Sequence, residues 1–195
     1  MTSSLQEQIL VIKRKTLFEH QEPWNGIYND NIESIISTIT THQEFMQRSL
    51  AETDFSYKQI IPYMIFTYGN TYFVMQRKST ASEQRLANKL SLGIGGHMRE
   101  EDMQGKTIFD WARREFEEEV SYSGHLKIKT LGILNDDSND VGKVHLGLAL
   151  LLEGDNAQIS IKDEHKNGML LTKKECLEKF EEFESWSQTI LQILP

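Results

Sequence analysis

Between Arg114 and Val120 the chain reads REFEEEV, so that Glu115, Glu117, Glu118 and Glu119 crowd into one short stretch. Each carboxylate raises the cost of ionising its neighbours, which leaves two explanations: water solvates them all, or a cation sits among them. On a helix advancing about 100° per residue, Glu115, Glu118 and Glu119 fall within about a third of the circumference, while Glu117 points away. Beside that face run Phe109, Ala112, Phe116 and Val120, an apolar stripe expected to dock on a sheet. The acids are therefore expected to border buried structure. Like charges at these spacings cost a helix a few tenths of a kcal/mol per pair, and more as the dielectric falls. A hard divalent ion, Mg²⁺ or Mn²⁺, removes that repulsion and prefers oxygen ligands. Two neighbours favour an ion over a merely solvated face. Gly93, Gly95 and Gly96 just upstream allow close backbone approach and expose carbonyl oxygens as further ligands, and Arg114 can hold one carboxylate by a charge-assisted hydrogen bond.

The elements needed to position such a helix can be read from periodicity. QILVIKRKTLF near the N-terminus reads as a strand, and Ile32, Ile35, Ile36 and Ile39 fall at helical spacing. Gly69-Asn70 separates two aromatic, β-branched runs and predicts a tight hairpin. LKIKTLGIL and VHLGLALLL suggest a second antiparallel pair, with NDDSNDVGK between them read as a solvated loop. Thr172 and Glu175 have capping-box spacing, and the last helix is expected to turn Trp186 and Ile190 inward. The order predicts an α+β plan, a central mixed sheet flanked by helices, with residues 1-58 as an N-terminal strand-helix extension packed on a main domain of residues 59-195.

Composition narrows the classes. Of 195 residues, 38% are hydrophobic and 26% charged, and no apolar run approaches the roughly 18 residues needed to span a bilayer. The N-terminus places its basic residues after a short apolar run, the wrong order for a secretory signal, so a cytoplasmic location is expected. A formal net charge of −8 opposes general nucleic-acid binding but not a small phosphorylated substrate, because a bound cation reverses the local field. The single cysteine, Cys176, reads as a small buried hydrophobe and excludes a zinc finger.

Three tempting motifs fail. Gly105-Lys106-Thr107 lacks the P-loop glycine, because Glu100 stands there, and Gly93-Ile94-Gly95 lacks the third dinucleotide-binding glycine, which would fall at Met98. DDSNDVGK resembles a calcium loop, but Val141 occupies the turn-glycine position and Gly147 that of the bidentate acid.

At the acidic helix the sequence resembles the Nudix hydrolases, whose signature is G-x5-E-x7-R-E-U-x-E-E-x-G-U with U apolar. REFEEE supplies Arg114, Glu115, Phe116, Glu118 and Glu119 in register, and Gly96 resembles the opening glycine. The wider phrasing, KQIIPY, SLGIGGH and RREFEEEV, is similar to a branch of predicted phosphoesterases, and the resemblance runs from about Ile60 to Leu177. Two positions depart from the signature: the upstream glutamate falls at Lys106 after a lengthened loop, where Glu100, Glu101 or Asp102 could substitute, and Ser121 replaces the closing glycine.

The resemblance implies an α/β/α sandwich and a metal-dependent hydrolase that cleaves a phosphoric anhydride in a nucleoside diphosphate-linked or related substrate. Its implied metal ligands are Gly96, Glu115, Glu118 and Glu119. Glu115 and Glu119 would be the strongest, Arg114 would hold the geometry, and Glu164 is the loop candidate for the general base. His97 could touch a phosphate or be a turn residue with a satisfied hydrogen bond. Arg77 and Lys78 could offset phosphate charge or simply end a strand. Arg48, in the N-terminal extension, could belong to a pocket wall or to a homodimer contact. The competing function is a noncatalytic Nudix-like sensor of a nucleotide or sugar phosphate. Isomerisation of isopentenyl diphosphate does not match, because Cys176 sits in the C-terminal helix.

Overall fold

A computed structural model describes residues 6–77, 89–103, 107–162 and 166–195. In chain order the elements are β1 (Gln8–Lys13), α1 (Arg14–Leu17), β2 (Gly26–Tyr28), α2 (Ile32–His42), β3 (Glu44–Gln47), α3 (Arg48–Ala51), β4 (Tyr57–Tyr68) and β5 (Thr71–Arg77). After them come β6 (Leu90–Ser91), β7 (Gly93–Ile94), α4 (Glu100–Met103), α5 (Ile108–Glu119), β8 (Val120–Tyr122), β9 (Leu126–Asn135) and α6 (Asp140–Val144). The chain continues with β10 (His145–Gly154), β11 (Ile159–Ile161), β12 (Lys166–Thr172), α7 (Lys173–Glu178) and α8 (Ser185–Ile193). The principal sheet follows the order β12-β5-β4-β10-β9-β2, with β1, β3, β6 and β7 off this path, and β11 pairs with β8 separately. This is the α+β plan with a helix-flanked sheet expected from the sequence.

Contacts divide the chain into two compact units, each assembled from three separate stretches. The first draws on Met1–Pro62, Gly96–Trp111 and Leu131–Ala149. In it β1 pairs antiparallel with β3, from Gln8↔Gln47 to Val11↔Glu44, and with β4 through Val11↔Gln59, Ile12↔Lys58 and Lys13↔Tyr57. Strands on both sides explain why the run Ile9–Ile12 is almost completely buried. The expected first strand reaches Phe18, but the observed one stops at Lys13, and Arg14–Leu17 turn into a short helix. That change of direction brings the Arg14 guanidinium to Asp137. On α2, Ile35 and Ile39 are the buried pair of the isoleucine stripe.

The second unit draws on Tyr63–Gly95, Ala112–Thr130 and Leu150–Pro195. Here β4 and β5 close the predicted hairpin, pairing Tyr68 with Thr71 across Gly69-Asn70, and Gly69 takes the positive φ of 60° that the tight turn demands. β12 extends this hairpin along the whole of β5. Phe66 anchors an aromatic cluster with Phe73, Phe116 and Tyr122. The Thr172–Glu175 capping box forms as read from the sequence. On α8, Ile190 is fully buried, while Trp186 is half-buried with its ring edge-on to Tyr63.

The polar segment 136–144 departs from expectation. It folds as a capped turn and the helix α6, not as a solvated loop: Asp136 is 8% exposed, and Asn139 caps α6 by accepting from the Gly142 N–H. Asp136 accepts hydrogen bonds from Ser138 and Asn139, so its buried carboxylate is satisfied locally.

Candidate functional site

The acidic helix is present as α5, opened by reciprocal Thr107–Asp110 hydrogen bonds of 2.8–3.2 Å. Its buried residues are Ile108, Trp111, Ala112 and Phe116. Phe109, expected in the docking stripe, is instead 40% exposed. At about 100° per residue the buried arc is centred near Ile108 and Ala112, which leaves Phe109 at its edge. The same rotation places Glu115 and Glu119 in line with the buried face, and both are half-buried. Glu118 lies at the other margin, its side chain 54% exposed, and pairs with the Arg114 guanidinium one turn earlier. Arg114 thus holds one carboxylate, as its place in the sequence suggests. Ser121 lies within β8, so the helix ends at Glu119 and a strand follows directly. Glu100 and Glu101 belong to α4, and Glu101 meets Arg99 at 3.7 Å. Arg77 closes β5. Lys78, Lys106 and Glu164 lie outside the described residues.

A second constellation lies within the first unit. Glu52 at the end of α3, His97 after β7 and His145 at the head of β10 present ligand atoms that all lie within 4.8 Å of one another. Among the described residues it is the group of three metal-ligating side chains drawn this close; Glu115, Glu118 and Glu119 do not form one. His97 Nε2 is 3.4 Å from His145 Nε2 and 3.7 Å from Glu52 Oε1. His145 Nδ1 meets the Val141 carbonyl at 2.7 Å, and His97 Nε2 meets Gln59 Oε1 at 2.7 Å. Burial pushes both imidazoles below their ordinary pKa, and the nearby Arg48 cation adds to the shift at each. The site is built to hold neutral rings.

Beneath it sits an ion-pair network in the same unit. Lys58 is 0% exposed and donates to Asp137 Oδ1 at 2.8 Å, to the Gly142 carbonyl at 2.8 Å and to the His145 carbonyl at 3.2 Å. Asp137 also receives the Arg14 guanidinium. Burial lowers Lys58 to about 8 even though Asp137 pulls it back up. At Asp137 burial works upward, but the hydrogen bonds from Arg14 and Lys58 overcome it and hold the carboxyl far below the usual range.

Sequence reasoning singled out His97 but not Glu52, Gln59, Lys58, Asp137 or His145. A signal was present. Lys58 and Gln59 stand at the start of β4, directly before its apolar run, and are both buried, and polar groups are buried only with partners.

No protein-family model matches the sequence. The chain is 33% identical over 204 residues to protein YmaB of Bacillus subtilis (strain 168), covering 97% of this chain and 98% of that protein. It also superposes on the crystal structure of Tm1382, named as a candidate Nudix hydrolase, with a TM-score of 0.80 and 28% identity over 96% of this chain and 97% of that one. The chain belongs to the Nudix hydrolase superfamily. A more distant likeness, in fold alone, is to a bifunctional NMN adenylyltransferase/ADP ribose pyrophosphatase from Francisella tularensis complexed with AMP and a Mn ion, at a TM-score of 0.50 and 15% identity, covering 70% of this chain and 41% of that one. In this Nudix chain the box residues Arg114, Glu115, Phe116, Glu118 and Glu119 all lie on α5. A divalent metal is what the Nudix fold implies, and the donor chemistry fits: three carboxylates on one helix offer only hard oxygen, two of them half-buried and the third steered by a guanidinium.

Proposed function

We propose that this chain is a metal-dependent hydrolase that cleaves a phosphoric anhydride in a nucleoside diphosphate-linked or related small phosphorylated substrate. The carrying observation is the Nudix box held in register on α5, with Glu115 and Glu119 in line with its buried face and Glu118 tied to Arg114. Glu115, Glu118 and Glu119 would hold Mg²⁺ or Mn²⁺, with the Gly96 carbonyl as a further oxygen donor. Such an ion, when bound, neutralises diphosphate charge and lowers the pKa of a coordinated water.

The side chains have separate tasks. Glu115 and Glu119 keep two carboxylates at a margin of low dielectric, where their charges act more strongly than in open water. Arg114 restrains Glu118 by a charge-assisted bond and offsets part of the helix's accumulated negative charge. Glu164 is assigned as the base that takes a proton from the attacking water. The Mn and AMP bound by the Francisella enzyme, and its ADP ribose pyrophosphatase activity, support this class of ion and substrate.

The test is a screen of nucleoside diphosphate derivatives with Mg²⁺ or Mn²⁺, comparing wild type with Glu118→Gln, Glu119→Gln and Glu164→Gln. Turnover that falls by about 10²-fold or more in the Glu119 variant is expected. Activity retained in both box variants refutes the site. Binding of a ligand without metal and without turnover would instead establish the sensor reading.

A further inference from the structure

We propose that Glu52, His97 and His145 form a binding site for a zinc-class divalent transition-metal ion, with Gln59 as an adjacent oxygen donor. The proposal does not rest on the hydrolase reading, because it concerns other residues and another class of ion.

Three observations carry it. The first is spacing. Zinc bonds of about 2.0–2.2 Å in a tetrahedron place neighbouring ligand atoms about 3.3–3.6 Å apart. Here the two imidazole Nε2 atoms are 3.4 Å apart, Glu52 Oε1 is 3.7 Å from that of His97, and all the ligand atoms lie within 4.8 Å of one another. Little movement is needed to enclose an ion.

The second is the way His145 is held. A carbonyl only accepts, so the 2.7 Å contact from Nδ1 to the Val141 oxygen places the ring proton on Nδ1 and turns the Nε2 lone pair toward His97 and Glu52. A ring N–H donated to a backbone carbonyl is the usual outer support of a metal-bound histidine. The capped turn before α6, with Asn139 accepting from Gly142 N–H, fixes that carbonyl.

The third is Gln59. Its Nε2 donates to the Ala51 carbonyl at 3.2 Å, which orients the amide so that Oε1 faces His97 Nε2 at 2.7 Å. Without an ion, His97 donates its Nε2 proton to that oxygen. Ligation moves the proton to Nδ1, and the amide oxygen must then back away from 2.7 Å to the roughly 3.3–3.6 Å of neighbouring ligand atoms to serve as a further donor. Two imidazoles with one carboxylate favour zinc, cobalt or nickel over magnesium. Glu52, its side chain 32% exposed, gives the ion a way in from solvent. The 3.4 Å contact from Arg48 Nε to Glu52 Oε1 is long for a hydrogen bond and would yield to an ion.

The experiment uses the full chain, stripped with a chelator and titrated with Co²⁺ and with Zn²⁺. With excess Mg²⁺ present to occupy oxygen-only sites, wild type is expected to bind one cobalt ion with the intense visible absorption of tetrahedral coordination, displaced by Zn²⁺. Glu52→Gln and His145→Gln should weaken the binding read by this tetrahedral spectrum by at least about tenfold. His145 is buried and its replacement could unfold the chain, so the half-exposed Glu52 carries the comparison, with circular dichroism as the folding control. Absence of a cobalt spectrum in folded wild type overturns the site, as does a Glu52→Gln variant that binds as tightly as wild type. Failure of the hydrolase assay leaves the cobalt result standing, and the reverse, so the two readings fail separately.

Discussion

Replacing Asp137 with asparagine tests the network that underlies the histidine pair. Lys58 Nζ has no solvent access, and of its three acceptors only Asp137 carries charge; the Gly142 and His145 carbonyls supply dipoles. Asp137→Asn keeps the shape and an acceptor oxygen but removes the one charge hydrogen-bonded to a buried ammonium, a loss of about 3–5 kcal/mol. For a chain of this size that lowers Tm by about 6–20 °C, read by circular dichroism at pH 7. The double variant Lys58→Met/Asp137→Asn should lose less than the sum of the two single losses, because the stranded charge is gone. The pH response has a definite sign. The folded value of Lys58, about 8, is below its ordinary 10.5, so between those values the unfolded chain holds more protons and this group stabilises the fold increasingly as pH rises. Wild type should therefore gain on Lys58→Met across that window. The depressed Asp137 carboxyl contributes fully above about pH 4 and loses its contribution as pH falls below that. An Asp137→Asn loss under about 1 kcal/mol, the range of exposed pairs, would refute the reasoning.

Gly142→Ala would place a Cβ 1.8 Å from the Asp136 backbone oxygen, so the turn before α6 must open. A loss of at least about 1–3 kcal/mol in chemical denaturation is expected, and an unchanged midpoint would contradict the packing described. The Cys176 thiol is fully buried, and burial pushes it up to about 11. It should react with a disulfide reagent at pH 8 only as fast as the chain opens; rapid stoichiometric labelling of the folded protein would show that the Cys176 face of α7 is not packed inward.

The sequence made legible whatever depends on local chemistry. The hairpin at Gly69-Asn70 follows from a turn that needs positive φ, and the capping box at Thr172 from two side chains three residues apart. The helix carrying Glu115, Glu118 and Glu119 was readable for the same reason, but its rotation was not: Phe109 and Phe116 lie on nearly the same side, and only the packed structure shows that one is exposed and the other buried. The acids of segment 136–144 looked like solvated loop residues because their partners are distant in sequence. Arg14 is 123 residues from Asp137, and Lys58 is 79. The Glu52–His97–His145 group was illegible for that reason too, since each residue comes from a different stretch of chain.

A buried lysine paired with an aspartate seldom makes a fold more stable than apolar residues of similar volume would, so its presence here calls for another account. Position offers one. Lys58 and Gln59 are successive residues on β4, and successive side chains on a strand leave opposite faces. From one face Lys58 clamps the Gly142 and His145 carbonyls and the Asp137 carboxylate, acceptors that a methionine could not hold. From the other, Gln59 grips the Ala51 carbonyl next to Glu52 and the ring of His97. Two adjacent residues therefore fix the backbone behind His145, the backbone beside Glu52 and the imidazole of His97. Displacement of a ligand by 1 Å is enough to spoil a coordination sphere, whereas a hydrophobic core absorbs such shifts at small cost. A polar pair that adds little to stability while holding three groups in place is the expected signature of a strand selected for what it positions.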